Sequence, residues 1–358
     1  MFQSFLFAGF LLLLQCAFVY SSPSSFEYYI GDFFISISFP LQDVSQNPSI
    51  TVQSQAQKKI NSQVFLFECS SGCIRVGNAS VLRPPILDGN FQLQEATRYL
   101  SSIATVDTQE QTTSDGKDAL LIQGRLLEDE GSSVVAYYQL LFASVDVSKL
   151  AFSIIINATT ATNPTSLSSS SSSSSSLSTR LFLKYAAEAN EGFYGFGESF
   201  TYLDLKGRRV PILVSEQGVG RGEEPITSYL NTNVTEGVGG HWYTTYSPRP
   251  IYVTSYNRSI YLDNSQVAFF DLTDPLSVEI EVWASSISGY IFSAGEEGWP
   301  GLIETITSVT GRQPGRLPLW SQLGAVVGLE GGVCVCVCVC VCVVLCLCVC
   351  VCVSIQIY

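Results

Sequence analysis

Histidine is almost missing from this chain of 358 residues, with His241 its only example. One imidazole, set in the loop-like stretch GGHWYTTY, argues against a Ser–His–Asp triad and against a zinc cluster, and reads as a surface-loop histidine. Basic residues are also scarce: 18 Lys and Arg face 31 Asp and Glu, a net charge of −13. A nucleic-acid partner needs a basic face to meet its phosphates, so the balance disfavours that class. The balance suits a protein that works on neutral substrates. Cysteine is scarce outside the C-terminal tail. Of twelve cysteines, nine lie within residues 333–353, leaving Cys16 near the N-terminus and the pair Cys69 and Cys73. The segment ECSSGC puts a Ser-Ser-Gly turn between that pair, short enough for a small-loop disulfide in an oxidising compartment; two buried thiols are the alternative.

The N-terminus points to that compartment. Residues 2–19 are nearly all apolar and are followed by the small residues Ser21 and Ser22, the pattern of a secretory signal peptide over residues 1–22, although no Lys or Arg precedes the apolar core. Four sequons, at Asn78, Asn157, Asn233 and Asn257, agree with passage through the secretory pathway to an extracellular or vacuolar destination.

From residue 23 to residue 312 the pattern is β. In SVEIEVW, Val278, Ile280 and Val282 alternate with Glu279 and Glu281, the period of a half-buried strand. Similar runs occupy 64–67, 119–127, 134–145, 150–156, 181–185, 210–214, 251–256 and 267–272, separated by turn residues. The fold class is therefore mainly β, a large antiparallel β-sandwich. A serine run centred on 168–176 cannot bury apolar surface, so a disordered loop is expected over about 166–178. Residues 299–310 carry a helix pattern, with Pro300 in the first turn, Leu302, Ile303, Ile306 and Val309 on one face, and Gly311 as a stop.

The densest functional signal is EGFYGFGESFTYLDLKGRRVPILVSEQGVGR, residues 191–221. Gly195, Gly197, Gly218 and Gly220 sit among aromatics, with Arg208, Arg209, Glu198, Glu216 and Arg221 nearby. Glycine at that density marks tight turns and close backbone approach. Flat rings and fixed charges suit sugar recognition, and a glycine-punctuated hairpin is the plainer reading. The stretch GVGGHWYTTYSPRPIYV (237–253), then VTGRQPGRLPLW (309–320) and GAVVGLEGG (324–332), follow in order. Together these blocks resemble glycoside hydrolase family 31, in the branch holding bacterial sulfoquinovosidases and related α-glucosidases.

The resemblance implies an N-terminal β-sandwich followed by a (β/α)8 barrel, of which residues 313–332 hold the first strand. It implies retaining hydrolysis of α-glycosides, in which two carboxyl groups about 5–5.5 Å apart act as nucleophile and acid/base. Both are Asp residues on later barrel strands, so no catalytic residue is assigned in this chain; no cofactor or metal is implied. Glu330 ends the first barrel strand, where a carboxylate accepts hydrogen bonds from sugar hydroxyls. Sulfoquinovosidases place Gln there and glucosidase-like members Glu, which favours an α-glucosidase, with a sulfoquinovosidase as the alternative. The family sends one sandwich loop toward the active site, and Trp242, Tyr243 and Tyr246 are the substrate-binding candidates on it, their rings offering stacking faces with polar tips.

Residues 333–353 are almost pure Val–Cys alternation. A (GT)n repeat translates as GTG and TGT, Val and Cys, so the tail 333–358 reads as translated intron. A transmembrane span of 21 apolar residues is the competing reading, and a metal or disulfide framework lacks the spacers it needs. The expected product is a truncated and inactive N-terminal portion of a secreted α-glycosidase, whose partner is an α-linked sugar, with no nucleic acid and no membrane beyond the signal peptide. A stand-alone carbohydrate-binding sandwich and a membrane-tethered surface protein are the other classes.

Overall fold

The computed structural model describes residues 25–38, 49–55, 65–70, 72–82, 94–99, 102–112, 116–127, 134–158, 177–215, 217–234, 238–312 and 315. The proposed leader, the serine run, Glu216, Gly237, Glu330 and the Val–Cys tail lie outside them, as does all of the expected barrel start except Gly315.

Period-2 alternation builds three antiparallel sheets. A four-stranded sheet runs β1 (Ser25–Ile30), β2 (Phe33–Ser38), β3 (Ser49–Ser54), β4 (Phe67–Cys69). A six-stranded sheet has the order β13 (Arg209–Ile212), β16 (Ala268–Asp271), β17 (Ser277–Val282), β11 (Leu177–Ala186), β5 (Ile74–Leu82), β6 (Gln94–Tyr99). An eight-stranded sheet has the order β12 (Phe193–Gly197), β14 (Pro248–Thr254), β15 (Arg258–Leu262), β18 (Ser286–Ser293), β10 (Lys149–Ala158), β9 (Val134–Asp146), β8 (Asp118–Leu127), β7 (Ser102–Thr112). Two helices stand among the described residues, α1 (Ile226–Asn233) and α2 (Trp299–Thr310).

The inner faces supply one continuous core. Leu120, Ile122 and Leu126 of β8 and Leu140 and Phe142 of β9 are sealed from solvent, as are Leu181, Leu183, Val278, Ile280 and Val282 of β11 and β17. Phe67 links the four-stranded sheet to the other two, its ring 6.2 Å from Phe142 and 5.6 Å from Tyr185. Just after β4 a disulfide joins Cys69 to Cys73, with Cα atoms 5.5 Å apart.

Helix α2 occupies the residues the sequence pattern marks. Leu302 and Ile306 are buried against Phe292 and Ala294, while Ile303 turns outward at 47% exposure. The face is therefore narrower than the four-residue stripe expected. On β17, Glu281 faces away from the core as its alternation requires, yet it is only 6% exposed. It accepts from Arg209 (2.6 Å) and from the Trp283 indole (2.9 Å), and Arg180 lies over the Trp283 ring at 3.5 Å. An outer charged layer thus covers part of the six-stranded sheet.

By its internal contacts the chain forms two units, Met1–Thr310 and Gly311–Tyr358. Among the described residues no helix is long and apolar enough to cross a membrane.

Candidate functional site

The motif FYGFGE is a bulge. Gly195 (φ 117°) and Gly197 (φ 96°) are left-handed, and the pairing of β12 with β14 shifts register between them. Phe196 between them also has positive φ, 65°, uncommon for a bulky residue. The shift drives its ring inward, 5.4 Å from Tyr252 and 5.1 Å from Phe270. A Cβ on Gly197 would strike the Ser247 carbonyl. At the bulge the chain leaves the sheet, and the Glu198 amide donates to that same carbonyl at 3.1 Å.

Residues 198–225 and 238–247 then lie against each other. The Ser215 amide donates to the Thr245 carbonyl, and the Val219 amide to the Val238 carbonyl, both at 2.9 Å. The Thr244 hydroxyl donates to the Gln217 carbonyl at 2.9 Å. Glycine is required where the backbones meet: Gly218 abuts Gly240, Gly222 abuts Trp242, and Gly220 and Gly239 both abut Thr227 of α1. The Thr227 hydroxyl accepts from the Gly222 amide at 3.0 Å and donates to the Gly239 carbonyl at 3.3 Å. The glycines of this region therefore serve backbone-to-backbone packing as well as unusual angles.

On this interlocked base the aromatics divide. Trp242 is half-buried and packs against the core. Its ring meets Tyr202 edge-on at 6.0 Å and Tyr243 at 5.3 Å, and the Arg208 guanidinium sits 3.4 Å from the Tyr202 ring. Tyr243 stacks on His241 at 5.2 Å and is 38% exposed; Tyr246 is 53% exposed. Partial burial raises the Tyr243 hydroxyl pKa, so it remains a neutral donor. Of the substrate-binding candidates, Trp242 is half-buried against the core, and the two tyrosines reach solvent. Phe200 and Tyr202, which the sequence reading did not single out, are exposed in the same loop assembly, Phe200 beneath Arg221 at 4.2 Å. Glycine density marked this stretch, but nothing in the spacing separated inward rings from outward ones.

Where they are described, the charges of the block contact side chains of the sheet and of these loops. Arg209 pairs with Glu281 of the sheet, and Glu198 accepts from the Gln217 amide at 3.0 Å. A buried network behind the bulge was not foreseen. Glu191, 1% exposed, takes the Arg258 Nε at 2.7 Å and its terminal nitrogen at 2.5 Å, and Arg258 also donates to the Phe65 and Ala186 carbonyls. Burial alone would lower the Arg258 pKa; the Glu191 hydrogen bonds and charge more than offset this and raise it. The adjoining Tyr185 and Tyr252 hydroxyls bond to each other.

Among the sequons, Asn157 is exposed at the end of β10, Asn233 closes α1 with its amide donating to the Tyr229 carbonyl, and Asn257 occupies a left-handed turn at φ 58°. Asn78 lies on β5, its side chain outside the described residues. Among the described residues no group of three or more His, Cys, Asp or Glu side chains is placed to hold a metal ion.

The sheets, the bulge and the loop assembly make a large antiparallel β-sandwich that resembles the N-terminal β-sandwich of family 31 glycosidases. The fold overlays a family 31 sulfoquinovosidase from E. rectale with a TM-score of 0.55 and 23% identity, covering 83% of this chain and 37% of that one. In sequence, the chain is 34% identical over 153 residues to the sulfoquinovosidase of Escherichia coli (strain K12), covering 43% of this chain and 22% of the relative. It is 33% identical over 154 residues to the sulfoquinovosidase of Agrobacterium fabrum (strain C58 / ATCC 33970), covering 43% and 23%. No family model matches the chain. Sequence kinship and fold together show partial, N-terminal homology to the sulfoquinovosidase-like branch of glycoside hydrolase family 31. The matches span less than a quarter of the length of either curated relative. The relatives favour the sulfoquinovosidase alternative over the α-glucosidase reading drawn from Glu330.

Proposed function

We propose that the chain is the N-terminal, non-catalytic part of a secreted retaining α-glycosidase whose substrates are α-sulfoquinovosides. The observation that carries the reading is the 34% identity to a sulfoquinovosidase, on a sandwich of the matching fold. In the whole protein a general acid and a nucleophile, both supplied by the barrel, cleave the O-glycosyl bond with retention. The sandwich lends the exposed rings of Tyr243 and Tyr246 to the sugar subsite. Glu330 supports a second reading, an α-glucosidase, because a carboxylate at that position repels a sulfonate.

The test uses the full-length protein with its barrel, assayed on aryl α-sulfoquinovoside and aryl α-glucoside. A kcat/KM at least tenfold higher on the sulfonated sugar is expected, and a tenfold preference for glucose overturns the sulfoquinovosidase reading. Glu330→Gln should move the ratio further toward the sulfonate. Tyr246→Ala should lower kcat/KM by about 1–3 kcal/mol of transition-state binding with little change in Tm. Activity that falls only in step with Tm makes the loop a scaffold.

A further inference from the structure

Away from the glycine-aromatic loops, the outer face of the eight-stranded sheet holds a cavity of about 450 Å³ lined by Gln123, Gly124, Arg125, Tyr137, Tyr138, Gln139 and Asn157. That is the size of small-ligand sites, which combine a flat apolar face with a few placed polar groups. Strand register shows how it is made. Arg125 of β8, Tyr137 of β9 and Asn157 of β10 form one cross-strand row. Gln123, Gln139 and Ile155 form the next row on the same face. Gly124 and Tyr138 have the opposite parity and are buried beneath. Tyr137 is 50% exposed, and directly opposed residues of an antiparallel pair hold their Cβ atoms about 4.5–5.5 Å apart.

Asn157 opens the sequon Asn157-Ala158-Thr159. A sugar ring linked to its amide nitrogen emerges from the position paired with Tyr137, with Gln123, Gln139 and Arg125 lining the same cavity. We propose that Asn157 is an N-glycosylation site whose first N-acetylglucosamine is seated on Tyr137, so that this cavity is occupied by the chain's own glycan. The inference rests on the secretory part of the proposed function. In the transfer, the Asn157 amide nitrogen bonds to the anomeric carbon of a lipid-linked oligosaccharide diphosphate, the lipid diphosphate leaves, and the amide loses one proton. The seat separates Asn157 from the other described acceptors. Asn233 closes a helix and binds the Tyr229 carbonyl through its own amide. Asn257 sits in a turn whose Ser259 hydroxyl is buried and bonded to the Tyr252 carbonyl.

The full chain is expressed through a eukaryotic secretory pathway, and the peptide containing residue 157 is examined by mass spectrometry. A glycan at Asn157 is expected. Thr159→Ala, which abolishes the sequon and leaves Asn157 in place, should lower Tm by about 2 °C, a shift that is readable for a domain of this size. The same comparison made in a Tyr137→Ala background should show no difference, and in Tyr137→Phe it should show the full one. Because each background supplies its own reference, a general loss of stability in Tyr137→Ala does not obscure the result. A bare Asn157 in a chain glycosylated at other sequons overturns this inference and leaves the secretory reading intact; a chain with no glycan at any sequon overturns both. A Tm difference that is absent, or that survives Tyr137→Ala, overturns the seat.

Discussion

Glu191 and Arg258 form a contact that is costly to break. Both side chains are sealed from solvent, and the guanidinium fork meets the carboxylate through two nitrogens. Replacing one partner leaves the other charge buried and uncompensated, a loss of about 3–5 kcal/mol. Glu191→Ala should therefore lower the unfolding free energy by that amount, read as a lower urea midpoint at unchanged slope, and a loss below about 1 kcal/mol would mean that water reaches the pair. The neighbouring Tyr185 and Tyr252 make a second, pH-dependent prediction. Burial raises both hydroxyl pKa values above the ordinary tyrosine value. The unfolded chain therefore releases these protons near pH 10 while the folded chain keeps them. Their contribution is complete below about pH 10 and is lost as pH rises through the folded values. Tyr252→Phe should flatten the alkaline limb of a stability–pH curve, and an unaltered limb would remove these hydroxyls from the account.

At the scale of elements, two glycine functions can be told apart. Gly240 (φ 72°) lies against the Gln217 carbonyl, whereas Gly207 (φ 80°) has open space where a Cβ would go. Gly207→Ala meets only left-handed strain, about 1 kcal/mol. Gly240→Ala adds overpacking against backbone, a further 1–3 kcal/mol or so, and pushes the loop that carries Tyr243 and Tyr246 away from the loop that carries Gln217. Denaturant unfolding of the two variants should rank them in that order, and equal losses would refute backbone interlocking. Gly197→Ala should behave like Gly240, because the Ser247 carbonyl occupies its Cβ site at the β12 bulge.

For the whole molecule, the relevant boundary is Thr310/Gly311, where the first unit ends. That unit closes its own core, so a chain cut after Gly311 should fold and give a higher soluble yield than the full chain, whose Val–Cys run offers aggregation-prone β sequence. Equal yields would count against that role for the run. We also expect the 358-residue chain alone to release no more than background product from an aryl α-glycoside, since the matches to the curated sulfoquinovosidases cover only 22% and 23% of their length. Turnover that survives repurification would contradict this.

Strand pattern was legible because burial imposes a period of two: Val278, Ile280 and Val282 announced β17, and Leu302 and Ile306 announced α2 at a period near 3.6. Cys69 and Cys73 were legible as a pair through their spacing, and the glycine-aromatic blocks as a unit through their density. Helix α1 was not, because ITSYLNTN has no apolar stripe and buries only Thr227, which is held between glycines distant from it in sequence. Likewise no local signal joined Glu191 to Arg258, 67 positions apart, or set Asn157 beside Tyr137 and Tyr137 beside Arg125. Local patterns report which face of an element is apolar, and that much the amino-acid sequence determined alone. Which charges are buried together, which rings turn outward and which side chains share a cavity depend on strand register and on the close approach of separate loops, so only the tertiary structure decided them.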